Sequence, residues 1–150
     1  MRHYLAKNLF NIQAVPLRVA LIGCGGTGSH LVFPLAMLQK TLEAKGQGSL
    51  IVTVFDPDTV SEANIGRQRF YPSDIGFNKA TVMATRVNQS MGLSWNSVPA
   101  RFHRDGRKYD LVISAVDTAA ARIEIFKILK QSAGCYAAYW LDCGILLFNM

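Results

Sequence analysis

The chain predicts a doubly wound α/β fold, Rossmann-like, with a mainly parallel sheet and helices on both of its faces. Three observations predict it. Apolar, strand-like runs alternate with segments of helical spacing along the whole sequence. The first run passes directly into the glycine turn Gly23-Cys24-Gly25-Gly26-Thr27-Gly28, and two later runs end in carboxylates, Asp56 and Asp117. Such alternation requires crossover connections, which are right-handed, and places ligands outside the carboxyl ends of the strands.

Residues 1–17 form an irregular lead-in with Pro16 near its end, and residues 18–150 form the folded domain. Residues 18–22 are a short apolar run and read as a buried strand. Leu31, Val32, Leu35, Leu38 and Leu42 have helical spacing and predict a helix over 29–44. Pro34 lies early enough to be tolerated or to kink that helix, and Lys45-Gly46-Gln47-Gly48 ends it. The clearest strand, 50–55, stops at Asp56-Pro57-Asp58 because proline cannot continue a ladder. A second helix is expected over 74–89, capped by Ser73 or Asp74, then a third strand at 97–101 and a fourth at 111–116. An alanine-rich helix over 119–131 and a fifth strand from 137 to 141 follow. The apolar residues 145–150 then stop without a cap or a polar tail, as expected of a domain truncated at its C-terminus or diverged there.

At 150 residues, half of them hydrophobic and 17% charged, the chain is one globular domain rather than a disordered one. No run reaches the roughly 18 apolar residues of a membrane span. Met1-Arg2-His3-Tyr4 lacks a signal-peptide pattern, so a cytoplasmic, membrane-free protein is expected. Cys24, Cys135 and Cys143 form no C-x-x-C pair. That argues against a disulfide framework or a zinc site in the residues present, and for buried, inert thiols. The net charge of +6 is concentrated partly in Arg101, Arg104, Arg107 and Lys108. A solvated turn, an acidic partner or nucleic acid would each account for that cluster. With only Phe102 and Tyr109 interleaved and no recognition motif, nucleic acid is the weakest of the three.

The glycine turn lets the backbone approach a ligand, and the helix start behind it offers free N–H groups to phosphate oxygens. Asp56 either accepts both ribose hydroxyls, as in NAD and ATP sites alike, or caps the turn it begins. Asp58 fits a cap for residues 59–63. Asn64, Arg67 and Gln68 form a polar cluster whose guanidinium suits a leaving pyrophosphate, with Arg69 in its place if the register differs; otherwise Arg67 is a surface arginine. Lys79, a cation near a helix N-terminus, points to a compensating anion such as phosphate, or is simply exposed. Asp117 either holds Mg²⁺ bridging phosphates or, with Thr118, caps the next helix. His3, His30 and His103 have no spacing that suggests a metal.

Together these residues resemble the ThiF/MoeB family, which includes the adenylating domains of ubiquitin-activating enzymes. The shared motifs are G-x-G-G-x-G (Gly23, Gly25, Gly26, Gly28), D-x-D-x-V (Asp56, Asp58, Val60), N-x-x-R-Q (Asn64, Arg67, Gln68), the G-x-x-K lysine (Lys79) and Asp117, within residues 18–125. Residues 54–68 and 116–122 look most like the ThiF-type proteins of plasmid-associated PRTRC systems. The resemblance implies ATP-dependent adenylation of the C-terminal carboxylate of a ubiquitin-like β-grasp partner, with release of pyrophosphate. It implies that Gly25 and neighbouring amides cradle phosphates and that Asp56 holds the ribose. Arg67 and Lys79 would neutralise phosphate charge, Asn64 would orient the substrate and Asp117 would bind Mg²⁺. Homodimers are the family habit. The chain departs from the pattern in a longer segment between Gly28 and Asp56, in lacking an N-terminal arginine arm, and in lacking zinc-binding cysteine pairs and a thioester cysteine. A nicotinamide-dependent oxidoreductase would share the fold and Asp56 but leave Arg67, Lys79 and Asp117 unexplained. A non-catalytic interaction module of the same fold is the other alternative.

Overall fold

A computed structural model describes residues 15–130 and 137–144. The chain runs β1 (Leu17–Ile22), α1 (Gly26–Ala44), β2 (Leu50–Phe55), two 3-10 turns (Glu62–Asn64 and Pro72–Asp74), α2 (Lys79–Met91), β3 (Asn96–Val98), β4 (Tyr109–Ser114), α3 (Ala119–Lys130) and β5 (Ala137–Asp142). The strands form one sheet in the order β3-β2-β1-β4-β5, and all four pairings are parallel. The expected doubly wound fold is therefore observed.

The apolar runs are continuous because the central strands are buried on both faces. One face carries Val19, Leu21, Val52 and Val54 against Val32 and Ala36 of α1 and Ala80, Met83 and Val87 of α2. The other carries Ala20, Ile22, Phe55 and Val112 against Phe102, Tyr109 and Ile125 of α3. Each fully buried valine, leucine or phenylalanine contributes about 1.5–3 kcal/mol relative to exposure. A buried amide links α1 to the entrance of β3: Gln39 Oε1 accepts from Trp95 Nε1 at 2.7 Å, while its Nε2 donates to Glu43 and Ser49.

Chain order reverses between β1 and β4, with β2 and β3 on one side and β5 on the other. This switch point opens a crevice at the carboxyl ends of β1 and β4. Gly23 N–H bonds to Phe55 O and Ala115 N–H to Ile22 O, so the three strand ends are tied together where the loops begin.

Several expected boundaries move. Helix α1 starts at Gly26 rather than Ser29, so the glycine turn itself supplies the first helical turn, and Pro34 stands inside the helix. Helix α2 starts at Lys79, not Asp74. Gly76, at φ +87°, folds the chain back so that Val60 N–H bonds to Phe77 O and Gly76 N–H to Val60 O. Asp74 instead closes the preceding turn, accepting from Tyr71 N–H, and pairs with Arg86 at 2.6 Å. Strand β3 ends at Val98, because Pro99 has no N–H to continue the ladder. Strand β4 begins two residues earlier than expected, at Tyr109, and ends at Ser114. Leu17 belongs to β1 rather than to the lead-in. Lead-in residues 1–14, Cys135 and the apolar residues 145–150 lie outside the described residues.

Candidate functional site

The loops that leave β1, β2, β3 and β4 wall a cleft of about 520 Å³ at the switch point. The glycine turn forms its floor. Two of its glycines are fixed by packing: a Cβ on Gly28 would lie 1.8 Å from Gly23 O, and one on Gly23, at φ +91°, would lie 2.8 Å from Ala115 O. Gly25 and Gly26 have open space where a side chain would be, and both line the cleft. No atom of the described residues would meet a Cβ there, so the backbone is open to close approach. The helix starting at Gly26 directs its first N–H groups into this space.

Asp56 leaves the end of β2 and is 5% exposed. Its Oδ2 accepts from Cys24 N–H at 2.5 Å and its Oδ1 from Asp58 N–H at 2.8 Å. The carboxylate therefore both caps its own turn and ties β2 to the glycine loop. Its oxygens retain lone pairs for further donors. Burial pushes the Asp56 carboxyl above the usual carboxylate range, against the two N–H bonds that hold it down. Cys24, fully buried behind it, has its thiol pushed up by burial and by the Asp56 charge, as an inert thiol would.

Asn78 was missed by the sequence reading although it precedes the helix as a cap should. It accepts from Thr81 N–H and donates from Nδ2 to the carbonyls of Asp56 (2.8 Å) and Asp58 (3.0 Å). This places Lys79 at the first helical position with its side chain buried and its Nζ 3.4 Å from Asp58 Oδ2. The anion nearest to Lys79 is thus a carboxylate of the chain itself. Asp58 does not cap residues 59–63; Asn64 does, accepting from Ser61 N–H at 3.0 Å. Asn64 lines an open polar recess with Ser61 and Thr59 that shares Pro57, Asp58 and Lys79 with the main cleft.

The rest of the N-x-x-R-Q cluster divides. Gln68 lines the cleft, and its Oε1 is buried without a hydrogen-bond partner among the described residues, a group that a ligand's donor would satisfy. Arg67 stands outside the cleft, exposed, with Nε and Nη2 donating to Ala63 O. Arg69 crosses the Phe33 ring at 5.9 Å and does not line the cleft either. On the far wall, Thr118 caps α3 by accepting from Ala121 N–H, which leaves Asp117 exposed at the cleft with no partner among the described residues. Arg101 and Glu124, also missed, face the cleft from the loop after β3 and from α3. Their signal was positional: each lies at the carboxyl side of the sheet. The described residues hold no group of three His, Cys, Asp or Glu able to chelate a metal.

The arrangement offers backbone donors at one end, a buried carboxylate in the middle and a free carboxylate across the floor. Residues 9–145 match the ThiF family model. The chain is 27% identical over 145 residues to ubiquitin-like modifier-activating enzyme 5 of Aedes aegypti, an overlap of 85% of this chain and 33% of that one. It is 26% identical over 126 residues to ubiquitin-activating enzyme E1 1 of Candida albicans, 75% of this chain and 12% of that one. Its fold matches E. coli TcdA, a tRNA N6-threonylcarbamoyladenosine dehydratase, with TM-score 0.63 and 24% identity over 91% of this chain and 54% of the other. The same enzyme solved in complex with ATP matches with TM-score 0.57 and 26% identity, covering 82% and 52%. The chain spans about half the length of TcdA and a third or less of the two activating enzymes. With the glycine turn, Asp56, Lys79 and Asp117 at one cleft and the family match over nearly all its length, the chain belongs to the ThiF family.

Proposed function

We propose that this chain forms the nucleotide-binding half of an ATP-dependent adenylating enzyme whose acceptor is the C-terminal carboxylate of a ubiquitin-like β-grasp protein. The observation that carries this reading is one cleft lined by the open glycine turn, Asp56, Lys79 and Asp117. The activating enzymes among its relatives and the ATP complex of TcdA support it. A carboxylate oxygen of the acceptor attacks the α-phosphorus, the bond to the bridging oxygen breaks, pyrophosphate leaves and an acyl-adenylate forms.

In such a displacement the protein contributes position and charge rather than covalent chemistry. The N–H groups at Gly25 and Gly26 hold the phosphates, Asp56 accepts the ribose hydroxyls, and Gln68 Oε1 accepts from a substrate donor. Lys79 partly neutralises the phosphates while Asp58 keeps it in place. Arg67 contributes by swinging off Ala63 O, a bond on an exposed side chain. Asn64 orients the loop that carries it. One free, hard carboxylate fits Mg²⁺, which takes one or two protein oxygens together with substrate phosphates. Asp117 would hold it, and when bound it supplies charge neutralisation at the phosphates. Within the family the motifs resemble most those of the PRTRC-system members, and a homodimer, the family habit, is the assembly we propose.

ATP–pyrophosphate exchange tests the reaction. Exchange stimulated by a ubiquitin-like protein with a free C-terminal carboxylate, and not by the same protein amidated there, is expected. Equal exchange with both would contradict the reading.

A further inference from the structure

We infer that Arg101 closes over the base of the bound nucleotide and is the residue that makes this cleft prefer a nucleotide to a bare triphosphate. The inference rests on the nucleotide reading above and assigns the part of the cleft which that reading leaves unused. The glycine turn takes phosphates and Asp56 takes the sugar, so the base extends toward the remaining wall. That wall is built from Ala100, Arg101 and Phe102 after β3 and from Ala121, Glu124 and Ile125 of α3. It is largely apolar, as a flat heterocycle requires.

Arg101 is set at this wall by its neighbours. Phe102 is 5% exposed, and its ring packs edge-on against Phe55 at 5.1 Å. Ala100 N–H returns to Val98 O. The loop is therefore anchored on both sides of Arg101, whose side chain remains 74% exposed. Its Nη1 lies 3.9 Å from Glu124 Oε2, so the ion pair joins the two elements of this wall, the loop after β3 and α3. A pair this long and this exposed does little for folding. Its geometry instead holds a planar cation beside the space where a base would lie, and guanidinium groups stack on aromatic faces. Glu124 is a positioning residue. It draws Arg101 along this wall, and Arg101 in turn masks a negative charge that would repel a polyphosphate. Of the four cations clustered in this loop's sequence, Arg101 alone lines the cleft; Arg107 pairs with Asp105 at 3.5 Å.

The test is calorimetric titration of the chain with ATP and with inorganic tripolyphosphate, for wild type, Arg101→Ala and the double variant Arg101→Ala/Glu124→Ala. The double variant keeps the net charge, so long-range attraction for phosphate is unchanged. Losing the stack should weaken ATP binding about tenfold in both variants, whereas tripolyphosphate binding to the double variant stays within about twofold of wild type. Melting temperatures should be unchanged. Parallel loss of ATP and tripolyphosphate in the double variant, or ATP binding unaffected by either change, would overturn the assignment. Wild type binding tripolyphosphate as tightly as ATP would also overturn it. Wild type binding neither ligand would refute the nucleotide reading itself, and the assignment with it.

Discussion

The two walls of the cleft are built differently. On the β2 side Asp56, Asp58 and Lys79 are engaged by the fold, while Gln68 Oε1 has no partner among the described residues. Asp56 is held by Cys24 and Asp58 N–H groups, its carbonyl by Asn78, and Lys79 by Asp58. On the wall built from the loop after β3, the end of β4 and α3, Asp117, Arg101 and Glu124 are exposed, and among the described residues only the long Arg101–Glu124 pair engages any of them. The difference teaches where recognition and stability are coupled. Groups on the first wall are preorganised, so changing them costs stability and binding together. Groups on the second wall are free to meet a ligand, and changing them costs binding alone.

The sharpest way to break this comparison lies in the glycine turn, where both kinds of residue stand within three positions. Gly28→Ala drives a Cβ into Gly23 O and should destabilise the fold by about 3 kcal/mol or more in urea melts. Gly26→Ala meets nothing within 4 Å, should leave stability within about 0.5 kcal/mol, and should still weaken ATP binding. Asp56→Ala comes next. It strands the Cys24 and Asp58 N–H donors and should cost about 1–3 kcal/mol as well as nucleotide affinity.

Asp56 also predicts a pH dependence. Its folded pKa is raised above the ordinary 3.8 by burial. The ionised form therefore costs stability at pH above the folded value, and that cost disappears as pH falls through it toward 3.8. ATP affinity should run the opposite way, falling as the carboxylate protonates above the usual aspartate range. Asp56→Asn should flatten that part of the profile in titrations across mildly acidic pH. The smallest effect on stability belongs to the second wall: Asp117→Ala should change the unfolding free energy measured in urea by no more than about 0.5 kcal/mol while removing the Mg²⁺-dependent part of ATP affinity.

The first wall was largely legible in the sequence. A glycine turn after an apolar run, and a carboxylate before a proline, are local signals set by strand ends and turn chemistry. The burial of Cys24 was legible too, since a small residue inside such a turn is enclosed by the packing that makes the turn. What escaped was set by tertiary return of the chain. The start of α2 depends on Gly76 folding back onto Val60, which no helical periodicity reports. The pairing of Lys79 with Asp58 spans 21 residues, and it stands where a cap at Asp58 was expected. Arg67 looked equivalent to Gln68 in the motif, yet the backbone between Asn64 and Phe70 sends one out to Ala63 O and the other into the cleft. Arg101 was read only as part of a basic loop because its partner, Glu124, is on a different element.

The central claim is that this cleft binds ATP through preorganised backbone and Asp56 on one wall and a metal-assisting carboxylate on the other. Calorimetric titration with ATP, with and without Mg²⁺ and against NAD, tests it most directly when wild type is compared with Asp117→Ala. ATP binding that Mg²⁺ strengthens in wild type but not in the variant, with no binding of NAD, is the predicted result. NAD binding that ignores both Mg²⁺ and Asp117 would contradict it.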